Sequence, residues 1–288
     1  ERDIDPEQKG VLRVLGRAST QWAGSQRFDL FYLIHYDASS RPSPGEVIPE
    51  HREDPRDATL AWLGPRFSGK LDFRPVGEIR YWLDGAVVGG RETIFSLEEV
   101  EDDLLQVTGH TTVNVAGWAF DGGLNWLIDA ALEPTLTVGY AVGSGDGASA
   151  SKWDRTFRQT GLHRNNNKFN GVDRFRYYGE LFRPELSNIR ILTLAVGLSF
   201  LGSSSLELLY HRYRQYAPAE FQRGIRIKAD PDGEHLQLGQ AWEVILGVEE
   251  WEHIEVELIG AYFRAGRAFG ILAGQDAFQV VLKTDFNF

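Results

Sequence analysis

The last dozen residues, 277–288 (AFQVVLKTDFNF), alternate: Phe278, Val280, Leu282, Phe286 and Phe288 share one parity, and Gln279, Lys283, Asp285 and Asn287 the other. Successive side chains of an extended chain point to opposite faces, so this period of two predicts a strand with one apolar and one polar face. The same pattern recurs upstream. In 11–22, Leu12, Val14, Ala18 and Trp22 oppose Arg13, Arg17, Ser19 and Gln21. In 28–37, Phe28, Leu30, Tyr32, Ile34 and Tyr36 oppose Asp29, His35 and Asp37. Segment 59–72 sets Leu63, Phe67 and Leu71 against Arg66, Ser68, Lys70 and Asp72, and 79–89 sets Ile79, Tyr81, Leu83 and Val87 against Arg80, Trp82 and Asp84. Trp118, Phe120, Leu124 and Trp126 oppose Asp121 and Asn125 in 113–126. Leu136, Val138, Tyr140 and Val142 oppose Thr137, Gly139, Ala141 and Gly143 in 135–145. With 189–200, 206–215, 236–248 and 254–263, the count reaches about eleven strands.

Short turns and long connections alternate between these strands. The turns fall near 23–27, 73–77, 129–134, 202–205 and 249–253. The long connections are 39–56, the acidic stretch 91–106, 146–188, 216–234 and 264–276, and 91–106 is expected to be a loop. Such alternation is that of an outer-membrane barrel with short periplasmic turns and long external loops. A soluble core would need a large apolar inside, yet charges recur on one face of nearly every strand, and a dry interior would have to pair each of them. A water-filled lumen removes that cost. The expectation is an all-β fold, an antiparallel transmembrane β-barrel in the bacterial outer membrane. It would form one domain over 1–288, with 146–188 as a long extracellular loop and Phe288 at the inner aromatic girdle.

Composition adds three constraints. No run of about 18 apolar residues occurs, so no helix is expected to span a bilayer. The formal net charge is −11 and no basic stripe stands out, which argues against nucleic acid. There are no cysteines, so neither a disulfide framework nor a thiolate metal site exists, and no cofactor is expected.

The stretch FRQTGLHRNNNKFNGVDRFRYYGELFRPELSNIRILT, 157–193, is the most distinctive in the chain. It resembles the alginate-export family of outer-membrane proteins, which carries an FRQTGL element followed by GVxRFRYYGELxRPELSN. LGQAWEVIL at 238–246, FRAGRAFG at 263–270, RYWLDGAVVGGRE at 80–92 and TVGYAVGSGD at 137–146 are similar to family segments as well. Ala265 and Arg267 depart from the family's usual FxPGxAF, which bears on the conformation of that loop alone. The resemblance implies export of an anionic exopolysaccharide such as alginate through a barrel of about eighteen strands. Family members are about half as long again, so this chain is expected to be the C-terminal portion, lacking N-terminal strands, because an odd strand count leaves an unpaired edge in lipid. Implied partners are the anionic polysaccharide, outer-membrane lipid and periplasmic secretion scaffold proteins.

A polyuronate carries a carboxylate on each sugar, and arginine pairs bidentately with carboxylate while staying charged. Arg158, Arg174, Arg176 and Arg183 lie in the family-like stretch and are the first candidates to line the substrate path. Arg13, Arg17, Arg66, Lys70 and Arg80 lie on lumen-facing parities. Each of these strand cations is better suited to an ion pair with a lumen acid such as Asp29, Asp72, Asp84 or Glu243; for the loop quartet both roles stay open. Glu180 and Glu185 are expected to pair with some of the quartet, and Tyr177, Tyr178 and Phe182 to pin the loop to the wall. Two other functions compete. A general anion-selective porin uses the same architecture. An outer-membrane carbohydrate-active enzyme is disfavoured, because no GxSxG elbow or HExxH occurs and Glu255 and Glu257 simply share a strand face. Asp230-Pro231-Asp232-Gly233 reads as a turn more readily than as a calcium loop.

Overall fold

A computed structural model describes residues 10–38, 42–49, 57–101, 104–147, 152–160, 166–169, 172–251 and 253–286. Fifteen strands follow one another: β1 (Val11–Trp22), β2 (Gln26–Asp37), β3 (Val47–Pro49), β4 (Asp57–Asp72), β5 (Gly77–Glu101), β6 (Leu104–Ile128), β7 (Thr135–Gly143), β8 (Trp153–Asp154), β9 (Asn166–Phe169), β10 (Val172–Arg176), β11 (Ile189–Phe200), β12 (Ser204–Gln215), β13 (Gln237–Trp251), β14 (Ile254–Ala265) and β15 (Asp276–Phe286). Eleven of them form a continuous antiparallel meander, β1-β2-β4-β5-β6-β7-β11-β12-β13-β14-β15, with β3 and β8 attached to β6 and β9–β10 a separate hairpin. Among the described residues β1 pairs only with β2 and β15 only with β14, so the sheet does not close on itself.

The two faces divide as the alternation predicts. On β7 the burial alternates, with Leu136, Val138 and Tyr140 exposed on one face and Thr135 and Thr137 buried on the other. On β15 the even face is open, with Phe278 84% and Val280 70% exposed. Phe288 lies outside the described residues. Conversely, Asp29, Glu207, His211, Gln215 and Glu243 are buried on inner parities. A sheet that exposes aromatic and aliphatic residues while covering its charges is built for a nonpolar exterior.

One expected loop is strand. Residues 91–101 and 104–106 belong to β5 and β6, whose pairing runs from Gly77↔Ile128 out to Glu101↔Leu104. Its acidic residues masked a second signal: Thr93, Ile94 and Phe95 are β-branched or aromatic and pair with Thr112, Thr111 and His110 across the ladder. Because β4 stops pairing β5 at Asp57↔Thr93, the outer part of β5–β6 stands beyond the wall as a ribbon. Charge is no obstacle there, since residues 94–101 are exposed or half-buried, the buried residues being Val107 and, on the attached β3, Ile48.

The protein is expected to require detergent, to show β-type circular dichroism and to migrate heat-modifiably on gels; a water-soluble monomer without detergent would contradict the fold. Val138→Arg on the exposed apolar face should destabilise the inserted state by about 2–4 kcal/mol. Ser68→Arg on the opposite parity should leave it nearly unchanged in the same urea titration in micelles.

Candidate functional site

The connection between β7 and β11 folds inward and packs on the inner face of the wall. Phe157, Tyr178, Leu181, Phe182 and Leu186 from this loop share one apolar cluster with wall residues such as Trp62, Val115, Ala141, Tyr213 and Phe263. The inner face is therefore not uniformly polar; where the loop lies, it is apolar and dry. Phe182 stacks on Phe263 with centroids 4.9 Å apart and leans on Tyr213 at 4.7 Å. The Tyr213 hydroxyl donates to the Tyr178 carbonyl at 3.0 Å. The Tyr178 hydroxyl donates to Asp121 at 2.6 Å, whose other oxygen accepts from Trp82 Nε1 at 2.8 Å. Burial and the Asp121 carboxylate both push the Tyr178 phenol well above its ordinary value, so it stays a donor. Tyr178 and Phe182 are thus pins, as expected.

Two glycines let the loop backbone lie directly on the strands. A side chain at Gly117 would place its first carbon 2.6 Å from the Phe157 Cα, and one at Gly143 would meet the Leu186 carbonyl. Ser144, just past β7, gathers the loop ends: its carbonyl accepts from Phe157 N and Asn188 N at 2.9 and 3.0 Å. A second loop, between β12 and β13, crosses the first. Arg226 N donates to the Phe182 carbonyl at 3.0 Å, and Gln222 Nε2 to the Ser187 carbonyl at 2.6 Å.

The loop arginines divide into two groups. Arg158 is buried, 3% exposed, with Nε 2.8 Å from Glu92 and Nη2 on Asp154. Its own carbonyl accepts from Trp62 Nε1 at 2.7 Å. Burial opposes its charge, but Glu92 and Asp154 outweigh that and hold the guanidinium above its ordinary pKa. Burial likewise opposes ionisation of Asp154, and the Arg158 charge nevertheless keeps that carboxyl below its usual range. Arg158 is an anchor inside a triad and presents no open face.

Arg176 and Arg183 form the second group. Both approach Glu180 Oε2, at 3.5 and 3.2 Å, and their side chains are 24% and 28% exposed. Glu180 is itself fixed, since its amide donates to Glu243 Oε1 at 2.7 Å. Arg226, from the second loop, bonds Gln279 Oε1 at 2.8 Å and adds its charge near Arg183. Burial, then the charge of Arg176, then that of Arg226 push Arg183 below the ordinary arginine value. Arg174 lies on β10, but its side chain is outside the described residues.

The strand cations are paired along the wall. Arg17 lies 2.9 Å from Asp29, Arg66 3.3 Å from Asp84, Lys70 3.1 Å from Glu78 and Arg80 2.7 Å from Glu78. Arg13 Nε donates to His35 Nδ1 at 3.1 Å. Glu78 was not foreseen as the shared acid. Arg223 and Arg226 were missed as well, although Arg223-x-x-Arg226-x-Lys228 is a basic run in an acidic chain. Arg223 sits near enough to Arg158 that burial first, and that charge next, lower its pKa. In the turn 230–233, Asp232 is a local cap: it accepts from Glu234 N and His235 N, both at 2.9 Å, and those amides with the His235 ring lower its carboxyl to about 2.

An inside-out antiparallel sheet, apolar outward and polar inward, has the division of faces that outer-membrane β-barrel proteins carry. Residues 3–281 match the family described as alginate export, and the chain belongs to it. It is 31% identical over 215 residues to the alginate production protein AlgE of Pseudomonas aeruginosa, covering 73% of this chain and 42% of that protein. It is 32% identical over 102 residues to the alginate production protein AlgE of Azotobacter vinelandii, covering 35% of this chain and 20% of that one. The chain thus spans less than half the length of these relatives.

Truncating Arg158 to alanine would leave Glu92 and Asp154 buried without their cation, a change that costs about 3–5 kcal/mol. A lowered thermal midpoint in micelles, with protease cleavage appearing within 146–188, is the expected result.

Proposed function

We propose that this chain forms part of an export channel for an anionic exopolysaccharide of the alginate class, with Arg176, Arg183 and Arg226 lining the path. One observation carries the reading: two guanidinium groups, Arg176 and Arg183, share the single carboxylate of Glu180, partly exposed, on a loop pinned inside the wall, and the charge of Arg226 from the second loop is felt at Arg183. Carboxylates of a passing polyuronate would relieve that crowding by bidentate pairing. Exposed pairs of this kind are worth only about 0.2–1 kcal/mol each, so the sum over several contacts favours anions without trapping the polymer. Arg174 is proposed to join the group. Arg158 and the strand cations Arg13, Arg17, Arg66, Lys70 and Arg80 serve it indirectly, holding the loop and the wall, and the exposed apolar face is in contact with outer-membrane lipid. Nothing in this arrangement calls for catalysis.

The test is planar-bilayer conductance. The wild-type channel should prefer anions and be blocked by oligouronate added to either side. Arg176→Glu combined with Arg183→Glu should shift the reversal potential toward cations and weaken the block, with heat-modifiable mobility retained. An unchanged reversal potential in a folded double variant would move selectivity elsewhere. Anion preference without oligouronate block would favour a small-solute porin.

A further inference from the structure

The outward face of the wall carries a second arginine group that no pore function uses. On β12 the outward parity reads Leu206, Leu208, Tyr210, Arg212 and Arg214, against buried Glu207, Leu209, His211, Tyr213 and Gln215. The neighbouring β11 sets Leu192 opposite Arg212 and Arg190 opposite Arg214. Three arginines therefore meet on the face that is otherwise apolar.

Their height on the wall is informative. The β11–β12 turn lies at the short-turn end, and Arg212 is eight residues up β12 from Ser204. At ~3.3 Å per residue that is about 26 Å along the strand, or roughly 20 Å of height at a tilt of about 40°. An apolar band of barrels is about 25 Å tall. Just below the arginines run the aromatic residues Tyr140, Tyr210, Trp242 and Tyr262, exposed or half-buried on neighbouring strands, with Tyr210 and Trp242 rings 4.6 Å apart. Aromatic belts of this kind mark the interface between hydrocarbon and headgroups. Arg190, Arg212 and Arg214 stand at the headgroup level on the long-loop side.

The group is also electrostatically incomplete. Like charges directly opposite on neighbouring strands destabilise the pair, and Arg190 faces Arg214. Among the described residues no carboxylate lies within ion-pair distance of any of the three. Arg190 instead packs its guanidinium 4.7 Å over the Tyr216 ring, which is edge-on to Trp118 at 5.9 Å. That stacking fixes the plane of the guanidinium and leaves its edge N–H groups free to point along the wall. A preorganised set of guanidinium forks at headgroup depth fits phosphate oxygens.

We propose that Arg190, Arg212 and Arg214 form a binding site for the phosphorylated headgroup of an outer-leaflet glycolipid. The site rests on the membrane placement above but not on the pore's selectivity. An anionic phosphate between Arg190 and Arg214 turns a repulsive cross-strand pair into a bridged one, and the Tyr210–Trp242 belt receives the acyl chains beneath it.

The experiment measures bound lipid, counted by its fatty acids, and the thermal midpoint of the protein in detergent micelles titrated with phosphorylated lipid A, with its dephosphorylated form and with inorganic phosphate. The phosphorylated lipid should bind and raise the thermal midpoint, and the other two should not. Each arginine near an anionic surface changes binding about fivefold, so Arg212→Gln with Arg214→Gln should weaken it roughly 25-fold. Arg212→Lys with Arg214→Lys, which keeps charge but not the forks, should fall between. Equal binding of the dephosphorylated lipid, equal protection by inorganic phosphate, or an unaffected glutamine variant would each overturn the site. If the glutamine variant does not fold, the three-lipid comparison on the wild type still decides. Loss of lipid discrimination with conductance and heat-modifiability intact would leave the channel reading standing.

Discussion

Every spanning strand has to satisfy two opposite surroundings with one backbone. The ladder hydrogen bonds remove the backbone groups from lipid, where each unpaired one would cost several kcal/mol. The strict period of two then sends apolar side chains outward and polar ones inward. A slip of one residue would exchange those faces over a whole strand. The registers Ser19↔Asp29 on β1–β2, which sets Asp29 diagonally beside Arg17, Arg66↔Asp84 on β4–β5 and Glu257↔Lys283 on β14–β15 keep charges on the inner face together, and everything else in the molecule hangs on that alternation.

The inner face then becomes the only place where a large irregular segment can be held. The β7–β11 loop is fixed there by shape as much as by charge. Phe182 lies between Phe263 and Tyr213, and the bare surfaces of Gly117 and Gly143 admit its backbone. Polar groups finish the job: Glu243 takes the Glu180 amide, and Asp121 takes Tyr178. His211 Nε2 lies 3.8 Å from the second Glu243 oxygen, beyond hydrogen-bond reach, so the amide of Glu180 is the contact that engages this acid. A loop secured in this way can present Arg176 and Arg183 at a defined spot.

Much of the wall was legible because alternation is a local signal. Leu136, Val138 and Tyr140 declare their face without reference to any other strand. The ribbon at 94–101 was not legible, because its acids suit water on both faces and so erase the contrast that marks a spanning strand. The site was half legible. The loop and its arginines stood out by density, but Arg158 could not be told from Arg176 by sequence; only three-dimensional placement puts Glu92 and Asp154 around one and leaves the other partly open. Arg226 was invisible for a related reason. Its place beside Arg183 arises from two loops crossing, and no spacing within either loop records it.

The crossing of the loops has a mechanical side. The Arg226 amide holds the Phe182 carbonyl, while its side chain reaches Gln279 on β15 at 2.8 Å. One residue therefore ties the pinned loop to the last strand of the sheet. A sideways shear of β15 would pull on Phe182, and through the Glu180 segment on Arg183, with no change in the loop's own contacts. The position of Arg226 next to Arg183 is thus set by the last strand of the wall as well as by the two loops.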